Sequence, residues 1–113
     1  MLTKRYRLRR RRDLERVFKK GKSEKLDCLI FKKINNGLNI NRFAFFIGKK
    51  VSQKAVLRNK IKRRMSEIVR NFLPHLKSGF DGVFITLPGI EKKKFEEIKT
   101  LIEALLKKTD CFK

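Results

Sequence analysis

Apolar residues recur with the spacing of a helix face in the middle of the chain. The repeat has intervals of four, four, three and four residues and comprises Leu57, Ile61, Met65, Ile68 and Phe72. At about 100° per residue these side chains form one stripe along a helix. We expect this helix to begin near residues 55–58, because Val56 lies off the stripe, and to end at 72–73, because Pro74 cannot continue it.

Shorter patterns predict five further elements on either side of this central helix. They are a helix over 13–20 with Asp13 as its N-cap, strands over 26–34, 41–48 and 80–87, and a helix over 91–108. Asn36-Gly37 is typical of a turn, so the first two strands predict a hairpin. The order α-β-β-α-β-α predicts one α+β domain over 1–113, a small, partly antiparallel sheet with helices on one or both faces.

The central helix and the residues just before it are strongly basic. Residues 49–70 contain a single acid, Glu67, and nine basic residues: Lys49, Lys50, Lys54, Arg58, Lys60, Lys62, Arg63, Arg64 and Arg70. With a formal net charge of +21, the chain repels itself unless a polyanion binds it. The apolar stripe can lie on a core while the cations project away from it, which favours nucleic-acid binding over a merely solvated helix face.

The N-terminus is a second basic segment. Residues 1–12 include TKRYRLRRRR and are predicted to form an arm that its ligand orders, with Tyr6 and Leu8 as contacts to the domain. Phe18, on the first helix, has two interpretations. It is either a core residue or an aromatic side chain open to a bound strand.

Several classes of protein are disfavoured by what the sequence lacks. No apolar run approaches the roughly 20 residues of a spanning helix, and no apolar stretch of a signal peptide follows the basic N-terminus, so a cytoplasmic protein is expected. Cys28, in a strand, and Cys111, in a fraying tail, are predicted to be free thiols. The lone His75, the absence of zinc-ligand spacing and the scattered glycines predict no organic cofactor and no cleavage by the polypeptide alone.

The motifs closely resemble those of the bacterial ribonuclease P protein component. The resemblance rests on KKV at 49–51 with AVLRNKIKR at 55–63, on YRL at 6–8, DL at 13–14 and RVFKKGKS at 16–23, and on GFD at 79–81 with PG at 88–89. These motifs occur in the family's order and span nearly the whole chain.

The resemblance implies an α/β sandwich with a left-handed βαβ crossover, similar to a ribosomal-protein-type RNA-binding domain. It implies a protein that binds a catalytic RNA, in a complex that removes the 5′ leader of precursor tRNA with Mg²⁺ as the cofactor of the RNA-catalysed reaction. Neither membrane association nor a protein oligomer is expected, and the position of any protein-bound metal is left open.

The resemblance also implies roles for particular residues. The RNA subunit would contact Lys49, Lys50, Lys54, Arg58, Asn59, Lys60, Lys62, Arg63 and Arg70. The leader would lie in a cleft lined by Arg11, Arg12, Phe18 and Phe31. Three positions depart from the family pattern, since Lys60, Ser66 and Leu87 stand where an arginine is usual. Lysine keeps the charge at 60 but loses the planar fork of a guanidinium.

Two other functions fit the charge and size. A ribosomal or other structural RNA-binding protein would not favour precursor over mature tRNA, whereas a ribonuclease P subunit should. A DNA-binding module could insert the basic helix into a major groove, and competition between duplex DNA and structured RNA would separate that class.

Overall fold

The fold is a four-stranded sheet with helices on both faces, and the computed structural model describes residues 2–113 of it. Its elements are α1 (Arg11–Lys20), β1 (Lys22–Leu26), β2 (Leu29–Asn35), β3 (Arg42–Phe46), α2 (Ala55–Phe72), β4 (Phe80–Thr86) and α3 (Phe95–Lys108). Short 3-10 helices span Lys4–Tyr6, Leu73–His75 and Ile90–Lys92. The α+β class is confirmed. The terminal helix starts later than expected, because residues 90–92 form a separate turn and the Glu97 carboxylate accepts the Lys94 N–H at 2.9 Å.

The strand order β1-β2-β4-β3 differs from the predicted hairpin. β4 lies between β2 and β3, antiparallel to the first and parallel to the second. The hairpin prediction is therefore wrong, and the real hairpin is β1–β2, which turns at Asp27 and Cys28. The sequence of β1, KSEKL, is largely polar and shows no apolar alternation. A parallel β3–β4 pair needs a crossover connection, which α2 provides. The left-handed sense of this crossover stays a prediction.

The two faces of the sheet bury different side chains. On one face, α2 and α3 cover an aromatic core in which Phe31 stacks on Phe84 with ring centroids 4.5 Å apart. Gly82 is required there, since a Cβ would lie 2.7 Å from the Phe31 ring. On the other face, α1 packs Leu14 and Val17 against a smaller cluster that includes Val83.

The N-terminal segment is part of the fold. Leu2 and Leu8 are buried, and the Leu8 N–H donates to the Phe43 carbonyl at 2.8 Å. The Arg7 Nε donates to the Leu2 carbonyl at 2.7 Å. An arm ordered only by its ligand is thus the wrong description of residues 2–12, because two leucines anchor it beside β3 and α1 already begins at Arg11. Met1 lies outside the described residues.

Both cysteines are free thiols, as predicted, but both are buried and neither lies where the sequence suggested. Cys28 lies in the β1–β2 turn rather than in a strand. Cys111 is fully buried, because the C-terminal residues are tied down by a bridge between Leu76 and Phe112. Burial raises the pKa of both the Cys28 and the Cys111 thiols.

We expect both thiols to react slowly with an aromatic disulfide reagent at pH 8. Burial blocks access and the raised pKa reduces the thiolate fraction, so the native rate should be at least about tenfold below that in guanidinium chloride. Release of the coloured thiol, followed by absorbance, measures both rates. Fast reaction of Cys111 in a native Cys28→Ser variant would contradict the packed C-terminus.

Candidate RNA-binding surface

Helix α2 presents a cationic face because its opposite face is held by the core. Ile61, Met65 and Ile68 are buried as the stripe predicts, whereas Leu57 is exposed and Phe72 is half-buried at the two ends. Four of the predicted RNA-binding residues are consequently exposed to solvent: Asn59, Lys60, Lys62 and Arg63.

The β3–α2 loop adds three exposed lysines to this face. Lys49, Lys50 and Lys54 surround Val51, which is buried and anchors the loop. Within residues 2–113, six of these cations take part in no ion pair: Lys49, Lys50, Lys54, Lys60, Lys62 and Arg63. We call these six residues the α2 cation row.

Two predicted RNA contacts are partly engaged within the protein. The Arg58 Nη1 donates to the carbonyls of Ser52 and Gln53, at 2.9 and 3.0 Å, so Arg58 fixes the loop. Arg70 lies near the far end of α2 and bonds the Glu67 carboxylate at 2.6 Å. Arg58 still has N–H groups to offer a phosphate, but the charge of Arg70 is largely balanced.

A second exposed site lies where α1 leaves part of the sheet uncovered. Phe18 is 40% exposed, and its ring centroid is 5.8 Å from that of Phe46, which is equally exposed. The Lys32 ammonium lies 5.2 Å from the Phe18 centroid. These three side chains define the α1 cleft. In register beside Phe46 lie Ile85 and Ile30 on the neighbouring strands, so the floor is apolar.

The other residues predicted for the leader site lie apart from Phe18. Arg11 and Arg12 are exposed at the start of α1, about 10 Å along the helix from Phe18 at 1.5 Å per residue. The Arg11 Nε bonds the Glu15 carboxylate at 3.1 Å.

The prediction for Phe31 is wrong. Its side chain is fully buried on the face that α2 and α3 cover. Neighbouring residues of a strand point to opposite faces, so Lys32 faces the α1 cleft instead. Sequence reasoning missed Lys32 and Phe46 as cleft residues. The strand alternation separates Phe46 from Phe45, but only the sheet order brings it next to Phe18.

An ion-pair network fixes α1 on the sheet. The Arg42 guanidinium bonds both carboxylate oxygens of Asp81, at 2.9 and 2.8 Å, and the Asp13 carboxylate at 3.3 Å. The hydrogen bonds of Asp81 raise the pKa of Arg42. The Asn36 Nδ2 donates to Asp81 at 2.9 Å. Asp13 is therefore not the N-cap; it lies in the first turn of α1 and ties that helix to β3.

The α1 cleft and α2 adjoin at the edge of the sheet. Phe46 and Lys62 both line a cavity of about 320 Å³ beside β3, which we call the β3-edge cavity. A second concavity, on α2, is lined by Val56, Asn59, Lys62 and Arg63.

The family model for ribonuclease P matches residues 2–110. The chain belongs to the ribonuclease P protein family. It is 38% identical over 112 residues to the ribonuclease P protein component of Syntrophomonas wolfei subsp. wolfei, an alignment that covers 99% of this chain and 93% of the relative. This ribonuclease P protein superposes on that of Thermotoga maritima with a TM-score of 0.82, at 32% identity, covering 90% of this chain and 96% of the other. The superposition on a Staphylococcus aureus RNase P protein mutant with defective mRNA degradation activity has a TM-score of 0.88, at 29% identity, and covers 95% of this chain and 90% of the other.

As a ribonuclease P protein, the chain is an RNA-binding subunit of an enzyme of tRNA processing. Among residues 2–113, no helix is long and apolar enough to cross a membrane. Of the three departures from the family pattern, Lys60 is exposed, Leu87 is half-buried and Ser66 is buried.

Proposed function

We propose that this protein binds the catalytic RNA of ribonuclease P through the α2 cation row and holds the 5′ leader of precursor tRNA in the α1 cleft. The observation that supports this most is the β3-edge cavity, which Phe46 of the cleft and Lys62 of α2 line together. Two RNA-binding sites that adjoin in this way suit a protein that holds a substrate strand beside a second RNA. Cations neutralise phosphates, and the exposed Phe18 ring can stack on an unpaired base.

We further propose that the RNA subunit carries out the cleavage. Within the described residues, no group of three or more His, Cys, Asp or Glu side chains could hold a metal ion. These residues do not fit a Mg²⁺ site, so we assign the Mg²⁺ of the reaction to the RNA. Precursor tRNA is made in the bacterial cytoplasm, where this complex would act.

The decisive experiment is multiple-turnover cleavage of precursor tRNA by a bacterial ribonuclease P RNA at low Mg²⁺, with and without the protein. We expect stimulation for a substrate with a long leader and much less for one with a leader of one nucleotide. Phe18→Ala should raise the KM of the long-leader substrate about tenfold, because one stacked base is lost. The short-leader substrate should respond little to that variant.

Phe95→Ala is the matched control, since Phe95 is similarly exposed but begins α3. It should leave both substrates unaffected. Tight RNA binding without stimulation would instead favour a structural RNA-binding protein. Protein alone serves as a further control, and RNA cleavage by an RNA-free preparation would contradict the assignment of catalysis to the RNA.

A further inference from the structure

The β3-edge cavity has the composition of a small ligand site. Its walls include Leu8, Leu14 and Phe46, and at its rim stand two exposed cations, Arg9 and Lys62. Within the described part of the chain neither cation forms an ion pair. A cavity of about 320 Å³ is at the lower end of the range for small-molecule pockets. It therefore accommodates one planar group rather than an extended chain.

The Ser66 hydroxyl is the feature that points to a ligand. Ser66 is 2% exposed and lines the cavity, yet its hydroxyl makes no hydrogen bond within residues 2–113. A serine in a helix interior usually donates to the carbonyl four residues earlier. Among the described residues, no buried side-chain nitrogen or oxygen lacks a partner, so the Ser66 oxygen is open to the cavity rather than sealed in the core. The hydroxyl can therefore exchange a bound water for a polar group of a ligand that enters the cavity.

We propose that the β3-edge cavity binds one unstacked nucleotide of the RNA that docks on α2. The base would lie against Leu8, Leu14 and Phe46, with its edge bonded to the Ser66 hydroxyl. Its phosphate would lie between Arg9 and Lys62 at the rim, where charge-assisted hydrogen bonds form. This inference rests on the proposed function and specifies one subsite of it.

The RNA that docks on α2 is favoured over the leader as the source of this nucleotide. Lys62 lines both the cavity and the neighbouring concavity that contains Asn59 and Arg63, so one strand can run along α2 and enter the cavity. Phe18 and Lys32, which with Phe46 define the α1 cleft, do not line it.

The test compares Ser66→Leu with Ser66→Ala in binding to ribonuclease P RNA. Leucine fills the cavity and should weaken binding roughly tenfold or more, as for loss of a stacked base. Alanine removes only the hydroxyl and should weaken binding about threefold. Chemical footprinting of the RNA should show one nucleotide that the wild-type protein protects and that becomes reactive with Ser66→Leu, while the remaining protections persist.

A second pair of variants leaves the core untouched. Arg9→Ala should weaken binding about threefold through the lost phosphate contact. Arg5→Ala removes the same charge from the same segment, where Arg5 lies away from the cavity, and should have little effect. Circular dichroism of each variant checks that the fold is retained.

The outcomes separate this inference from the proposed function. Failure of the wild-type protein to bind the RNA would overturn both. Wild-type binding with Ser66→Leu unchanged in affinity and footprint would overturn the cavity assignment alone. A Ser66→Leu effect confined to substrates with a long leader would overturn the choice of RNA and assign the cavity to the leader. If Ser66→Leu fails to fold, equal binding by Arg9→Ala and Arg5→Ala overturns the inference.

Discussion

Raising the KCl concentration from 50 to 200 mM is expected to lower the affinity for ribonuclease P RNA by about 10³. The α2 cation row has six exposed charges that no acid within residues 2–113 neutralises. Each phosphate contact releases counterions, so six contacts give a slope of about −5 in a plot of log affinity against log salt. Equilibrium binding of labelled RNA at several KCl concentrations measures that slope.

Matched variants identify the charges responsible. Arg63→Ala should make the slope shallower by about one, because Arg63 is exposed and belongs to the α2 cation row. Lys107→Ala removes the same charge from α3, where Lys107 lies 3.7 Å from Glu103, and should leave the slope unchanged. A slope near zero, or equal effects of the two variants, would show that the contacts lie elsewhere.

Asp81→Asn is expected to lower the free energy of unfolding by about 3 kcal/mol. The Asp81 carboxylate is 2% exposed and accepts two hydrogen bonds from Arg42 and one from Asn36. Asparagine keeps one acceptor oxygen but loses the charge and the second acceptor, so the charge of Arg42, whose side chain is 22% exposed, is left with only the longer ion pair to Asp13. This loss of about 3 kcal/mol is at the lower end for a broken buried ion pair, because Arg42 stays partly exposed to solvent and keeps the Asp13 carboxylate as a charged partner.

Urea unfolding followed by far-UV circular dichroism measures this loss as a lower midpoint at constant slope. Asp110→Asn is the matched control. The hydrogen bond from Lys77 lowers the pKa of Asp110, but both side chains face solvent, so little stability depends on the pair. Equal midpoints for the two variants would mean that the Arg42–Asp81 pair does not hold the sheet together.

The parts of the fold that the sequence predicted well are those set by local pattern. The central helix has five periodic apolar residues and a proline at its end, and both bounds agree with α2. The prediction of a hairpin between β2 and β3 failed because strand pairing depends on residues far apart in the chain. Residues 80–86 insert between two strands that precede them by more than 30 positions. β1 was missed because an exposed edge strand needs no apolar face.

The candidate site divides in the same way. Charge and helical spacing were enough to predict the exposed Lys60, Lys62 and Arg63. The internal bonds of Arg58 depend on the conformation of a loop, which composition does not determine. The cavity at Ser66 could not be predicted from the sequence, because its walls come from residues 2–9, from β3 and from the helices α1 and α2. Phe31 was misassigned because strand alternation does not tell which face the first helix covers.

The edges of the sheet bear on how copies of this protein behave once RNA has neutralised their charge. A protein of net charge +21 is kept apart from its copies by repulsion, and a bound polyanion removes that protection. β1, at one edge, exposes the charged residues Lys22, Glu24 and Lys25, and β3, at the other, has five residues and pairs with Arg7 at Phe43. Short, charged or covered edges resist strand addition by another chain. The same N-terminal leucines that anchor the basic segment therefore protect a crowded ribonucleoprotein against aggregation through its sheets.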